Sequence, residues 1–260
     1  MSAPALAPRL LLSSLSVRLG GLLGDREIRR ATRLSRSQWR DLGRAFPRLG
    51  SDPGPDAALA RRRFGFLVGR ALADRGDGPV FRDAPPPAEP CLYATAHVGD
   101  LRSLRYFLRP RIAIATVIRP PERGELLGGS EHRAFEERVP RDFPHVLSAR
   151  EPHRLRSALA RGSLIVSSDL PEAESAPFPC LGGEIRLDPR PFRLARLAGV
   201  PSRPLFLTAP AGRLTITVGQ PLPREETAGL AAFAAALARI ADESALEIDG
   251  FTWWNRLQRA

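Results

Sequence analysis

The sequence predicts an α/β fold: a mainly parallel sheet covered by helices on both faces, preceded by a helical N-terminal segment. Three observations predict it. Cys91–Ala96 is a short apolar run, and Ile112–Ile118 is a continuous one of the kind found in strands buried on both faces. Segments with helical patterning alternate with such runs along most of the chain, as parallel sheets require. The turns after the strands carry polar, chemistry-bearing residues, as at His97 and Asp169, and ligands gather at the carboxyl ends of strands in such sheets.

The elements follow in order. Residues 5–75 read as helical, with a basic stretch from Arg26 to Arg44 broken by Ala45 to Pro53. Helical patterning resumes from Ala57 to Ala73, with Leu59, Phe64, Leu67, Val68, Ala71 and Leu72 as its apolar stripe. Gly76–Pro90 holds five prolines and reads as a connector. This divides the chain into a helical segment, 1–78, and an α/β domain, 79–260. In the second part Cys91–Ala96 is a strand, Asp100–Leu108 a helix, Ile112–Ile118 a strand and Ser130–Arg138 a polar helix. Arg150–Ala160 is a helix stopped by Arg161-Gly162, and Leu164–Val166 is a strand ending at Ser167-Ser168-Asp169. Arg190–Ala198 is a helix closed by Gly199. Ser202–Thr208 and Leu214–Val218 are strands, and Thr227–Ala245 is the last helix.

The net charge is +11, and all 39 basic residues are arginine. Such a guanidinium-rich surface suits phosphates and carboxylates. It fits an anionic membrane surface or an acidic carrier protein, and equally a solvated basic surface with no specific partner. Nucleic acid is the less favoured partner, because the chain has no zinc spacing, no basic heptad arm and no basic run with interleaved aromatics. Cys91 and Cys180 lie too far apart for a metal or redox motif and read as buried, reduced thiols of a cytoplasmic protein. No uncharged run approaches the ~20 residues of a membrane span. The leucines at 10–12, 15, 19, 22 and 23 fit a helix packed on its own domain or one lying on a membrane surface.

Six segments, taken in order, carry a family likeness. They are Thr95-Ala96-His97-Val98-Gly99-Asp100, Val117-Ile118-Arg119-Pro120, Ala158-Leu159-Ala160-Arg161-Gly162 with Ile165 and Asp169, Phe178-Pro179-Cys180-Leu181-Gly182, Leu194 to Pro201 with Pro204, and Phe251-Thr252-Trp253-Trp254-Asn255-Arg256. Together they resemble the bacterial lysophospholipid/lipid A acyltransferase family, the lauroyl and myristoyl acyltransferases, over roughly 91–256. The fourth resembles a degraded Phe-Phe-Gly loop. The last has Asn255 where the family has His.

The resemblance implies a glycerolipid acyltransferase-like fold. It implies transfer of a fatty acyl group from acyl carrier protein or acyl-CoA to a hydroxyl, or an amine, of a lipid, glycolipid or related acceptor. His97 would be the general base. Gly99, Arg102, Arg119 and Gly182 would contact substrate, Arg119 through its guanidinium fork and Gly99 through backbone N–H groups. No metal or organic cofactor is implied. The protein would be cytoplasmic, or peripheral on the inner face of the cell membrane.

One position departs from the pattern. The family has a carboxylate five residues after its histidine, and here that residue is Arg102. An arginine cannot orient an imidazole as an acceptor, so a partner must come from elsewhere. Asp100 and Asp169 are the two candidates. Each has an ordinary structural reading as well: Asp100 as an acidic residue at a helix start, Asp169 as a turn residue before Pro171, and His97 itself as a buried structural histidine. The same departure supports the alternative, a catalytically impaired homologue that binds lipid or acyl carrier protein. His132, His145 and His153 read as surface residues, and Trp253 and Trp254 as packing residues.

Overall fold

The computed structural model describes residues 36–49, 80–82, 85–98, 104, 108, 114–118, 146–149, 151–169, 173–208 and 215–243. The strands are β1 (Val80–Arg82), β2 (Leu92–Thr95), β3 (Ile114–Ile118), β4 (Val146–Ser148), β5 (Ser163–Ser167), β6 (Ala176–Cys180), β7 (Gly183–Leu187), β8 (Ser202–Thr208) and β9 (Thr215–Val218). The helices are α1 (Arg36–Ala45), α2 (Pro152–Leu159), α3 (Arg190–Ala198) and α4 (Glu226–Glu243).

Seven strands form one sheet in the order β1-β9-β8-β2-β5-β3-β4. The five from β8 to β4 are parallel throughout. β9 runs antiparallel to β8, and β1 parallel to β9. The fold is therefore α/β with a mostly parallel sheet packed against helices.

The side-chain alternation of each strand splits the core in two. On one face Leu92, Ala94, Leu164 and Phe206 pack against Leu155 and Leu159 of α2, Phe192 and Ala195 of α3, and Leu230, Phe233, Leu237 and Ile240 of α4. Phe233 stacks on Phe206 at 6.0 Å and meets Phe192 at 5.7 Å. On the other face Cys91, Tyr93, Ile165, Leu205, Leu207, Ile216 and Val218 pack with Leu104 and Leu108, both in helical conformation. β2 is buried on both faces, which explains the largely apolar run Cys91–Ala96.

The polar punctuation acts where the sequence places it. Gly199 closes α3 in the left-handed conformation at φ 73°, and its N–H bonds the Arg196 carbonyl. Two expectations are corrected. Gly76–Pro90 is not only a connector, because Val80–Arg82 forms β1 and adds a strand to the sheet edge. The segment around Phe178–Gly182 is not a loop. It is the first strand and turn of the β6–β7 hairpin.

The hairpin turns through Leu181 at φ 52° and Gly182 at φ 79°, the double positive-φ geometry of a type I′ turn. A leucine is costly there, but Leu181 is buried in the core and the apolar contact offsets the strain. Pro177 and Pro179 alternate along β6 opposite Arg186 and Glu184. In antiparallel pairing from this turn, those positions direct the backbone nitrogen away from the partner, so the missing N–H costs no ladder bond.

The hairpin also receives α1. The Arg48 N–H bonds the Leu181 carbonyl at 2.8 Å. Leu42 and Phe46 are buried in the core, and Arg48 pairs with Asp242 of α4 at 3.0 Å. Gly183 permits the approach: a Cβ there would stand 1.9 Å from the Ala45 carbonyl oxygen. Among the described residues no helix is long and apolar enough to cross a membrane.

Candidate active site

β2 and β5 are adjacent and parallel, with Thr95 opposite Ser167. Beyond these residues both chains leave the sheet in step, and the Ser168 N–H still bonds the Thr95 carbonyl at 2.9 Å. His97 is two residues past Thr95 and Asp169 two past Ser167. A period of two sends both side chains toward the same face. The connections then part: from β2 the chain passes to β3 beyond β5, and from β5 it passes by way of the hairpin to β8 beyond β2. Such a divergence at the carboxyl ends of neighbouring strands is where open α/β sheets leave a crevice for ligand.

Local turns fix His97. The Val98 N–H bonds the Ala96 carbonyl at 2.8 Å, closing a tight turn centred on the histidine. Val98 is buried in the core directly after it, so the turn is anchored on both sides. Asp169 then grips the histidine twice. Its Oδ2 accepts the His97 backbone N–H at 2.8 Å, and its Oδ1 lies 2.8 Å from the ring Nδ1. The Ser167 hydroxyl donates to Oδ1 at 2.6 Å and lies 3.2 Å from Nδ1. Asp169 is fully buried, whereas a quarter of the His97 side chain is exposed. The carboxylate is thus held in the protein and the ring reaches toward solvent.

The arrangement sets the ring tautomer. Oδ1 and Oδ2 act as acceptors in this network, the pattern of an ionised carboxylate. Nδ1 therefore carries the proton, and Nε2 carries the basic lone pair. Asp169 orients the ring and offsets the charge that the imidazole gains on protonation. A serine nucleophile is a poor description of Ser167. It shares the Nδ1 side of the ring with Asp169, whereas a base that activates a serine must use the opposite nitrogen.

The thiols take no part as nucleophiles. Burial pushes Cys180 up to about 12, with Asp242 and Asp169 adding to the effect. Burial also pushes Cys91 up to about 12, against a smaller opposing pull from Arg203. Both are unpaired and stay protonated at neutral pH.

Of the residues expected from sequence, the structure brings His97 and Asp169 together. Gly182 sits at the hairpin tip, where its nearest surroundings are Pro47 and Arg48. Gly99, Asp100, Arg102 and Arg119 lie outside the described residues, as do Asn255, Trp253, Trp254, His132 and His145. His153 is exposed on α2. Among the described residues no cluster of His, Cys, Asp and Glu could hold a metal ion. Sequence reasoning did not single out Ser167. The available signal was its place two residues before Asp169, on the same face of the strand. Comparison with protein-family models and with curated proteins finds no match for this chain.

Proposed function

We propose that the protein is an acyltransferase. It moves a fatty acyl group from acyl-CoA or acyl carrier protein to a hydroxyl, or an amine, of a lipid, glycolipid or related acceptor. The observation that carries this reading is the 2.8 Å contact between His97 Nδ1 and Asp169 Oδ1 at the carboxyl ends of adjacent parallel strands. It supplies the carboxylate that the sequence lacks at Arg102. The resemblance in motif order supplies the reaction class.

In this mechanism His97 Nε2 takes the proton of the acceptor hydroxyl as its oxygen attacks the thioester carbonyl. The imidazolium that forms is stabilised by Asp169 across Nδ1. The tetrahedral intermediate collapses with cleavage of the carbon–sulfur bond. The imidazolium returns its proton to the departing thiolate, giving ester and free thiol. Positioned general-base catalysis of this type contributes about 10²–10⁴-fold. The many arginines favour an anionic donor and an anionic lipid surface, consistent with a peripheral place on the inner face of a membrane.

The test uses the full chain with lauroyl-CoA or lauroyl-acyl carrier protein and a lysophospholipid, reading released thiol. Acceptor-dependent release that His97→Ala abolishes supports the reading. Arg102 favours a second one, an impaired homologue that binds lipid or carrier. Binding of acyl carrier protein with no turnover from either donor would establish that instead.

A further inference from the structure

The geometry points to Ser167 as a positioning residue that competes with His97 for one oxygen of Asp169, and so moderates how tightly the carboxylate holds the ring's Nδ1–H. This deepens the proposed function and rests on that reading for its catalytic meaning.

Three distances carry it. Ser167 Oγ donates to Asp169 Oδ1 at 2.6 Å, the same oxygen that faces His97 Nδ1 at 2.8 Å. Oγ is 3.2 Å from Nδ1 itself. One carboxylate oxygen therefore faces two donors. A short hydrogen bond to a charged acceptor is stronger than a long one to a neutral hydroxyl. Competition for Oδ1 then outweighs any help that Oγ gives Nδ1 directly. Each share of Oδ1 drawn toward Ser167 is withheld from the ring, which weakens the hold of Asp169 on the Nδ1–H.

Register and neighbouring groups frame this contact. Ser167 is the last residue of β5, and its register with Thr95 fixes its backbone beside the turn that presents His97. From the hairpin, the titratable group facing Asp169 is Cys180, whose thiol is neutral because burial pushes it up to about 12. From α4 comes Asp242, which acts on Cys180 together with Asp169 and pairs with Arg48. The hydroxyl of Ser167 donates to Asp169 from the same strand end, at 2.6 Å.

Ser167→Ala removes the competitor, and Ser167→Thr keeps the hydroxyl. Ser167→Cys keeps a side chain of similar size with a much weaker donor. The direct readout is the ring Nδ1–H proton of His97, observed by NMR on full-length protein and assigned by its loss in His97→Ala. In Ser167→Ala and Ser167→Cys this resonance moves downfield, as the bond to Asp169 tightens. In Ser167→Thr it stays at the native position. An unchanged or upfield resonance in both the Ala and Cys variants overturns the proposal, since Ser167 would then only hold the carboxylate in place.

The measurement needs no substrate, so absence of acyl transfer would sink the proposed function while leaving the Ser167 question decided.

Discussion

Replacing Asp169 with asparagine should invert the tautomer of His97 while leaving the chain folded. The reason lies in the two oxygens. The Oδ2 site faces the His97 backbone N–H, which can only donate. The amide oxygen of an asparagine must take that site, and its NH₂ must take the other. The NH₂ then donates toward Nδ1, where the native carboxylate accepted. The ring proton is driven to Nε2, and the basic lone pair turns inward to Nδ1.

A base with its lone pair on the wrong nitrogen loses its function but not its place. The equivalent change in a serine protease triad lowers kcat by ~10⁴. Here a loss of about 10³–10⁴ is expected, or about 4–5.5 kcal/mol at 1.36 kcal/mol per decade. Stability should fall far less, because the backbone N–H keeps its acceptor and Ser167 Oγ can accept from the new NH₂ in place of donating. Exchanging charge-assisted bonds for neutral ones costs about 1–2 kcal/mol. The assay is acceptor-dependent thiol release, alongside ring ¹⁵N shifts and a thermal melt. A folded Asp169→Asn variant with kcat within about threefold of native would refute the reasoning, as would a ring still protonated at Nδ1.

The other predictions concern the frame of the site. Gly183→Ala should destabilise the protein by about 1–3 kcal/mol in denaturant titration, because its Cβ would meet the Ala45 carbonyl oxygen at 1.9 Å; an unchanged midpoint would contradict the docking of α1 on the hairpin. Phe233→Ala removes the ring shared by Phe192 and Phe206 and should cost about 3–5 kcal/mol, read from the same titration. Cys91 and Cys180 should resist alkylation in the native state at pH 8 and react once the chain is unfolded. Both thiols are raised from 9.0 to about 12 by burial, so the folded chain keeps their protons to higher pH than the unfolded chain does. Their contribution is complete below pH 9 and is lost as pH rises from 9 toward about 12. A midpoint that rises over that interval would oppose the assignment.

The sequence was legible where one signal decided the local structure. Arg190–Ala198 with Gly199 and Ser202–Thr208 were read with their observed bounds, because capping glycine, proline and apolar patterning agree there. The β6–β7 hairpin was hidden because Pro177 and Pro179 argue against a strand. Its turn also places leucine where asparagine or aspartate is usual. Both features are tolerated only in the geometry of that pairing, which no local pattern reveals. Strands β1 and β4 have three residues each and owe their existence to a neighbour already in the sheet.

The site was half legible. His97 and Asp169 each follow a strand, so both can be named, but Asp100 is the nearer candidate in sequence. Their meeting depends on β2 lying beside β5, a pairing of residues 72 positions apart. Ser167 is the same case: an ordinary serine in sequence, it gains a role from the register that sets it opposite Thr95.

The most direct measurement is the rate at which full-length protein forms acyl-lipid from lauroyl-CoA or lauroyl-acyl carrier protein and a lysophospholipid, compared between native chain and a folded His97→Ala variant by mass spectrometry of the product. Acceptor-dependent ester formation by the native chain, falling at least about 10²-fold in the variant, is the predicted result. No ester from the native chain, or equal rates from the two, would contradict the assignment of His97 as the base of an acyltransferase.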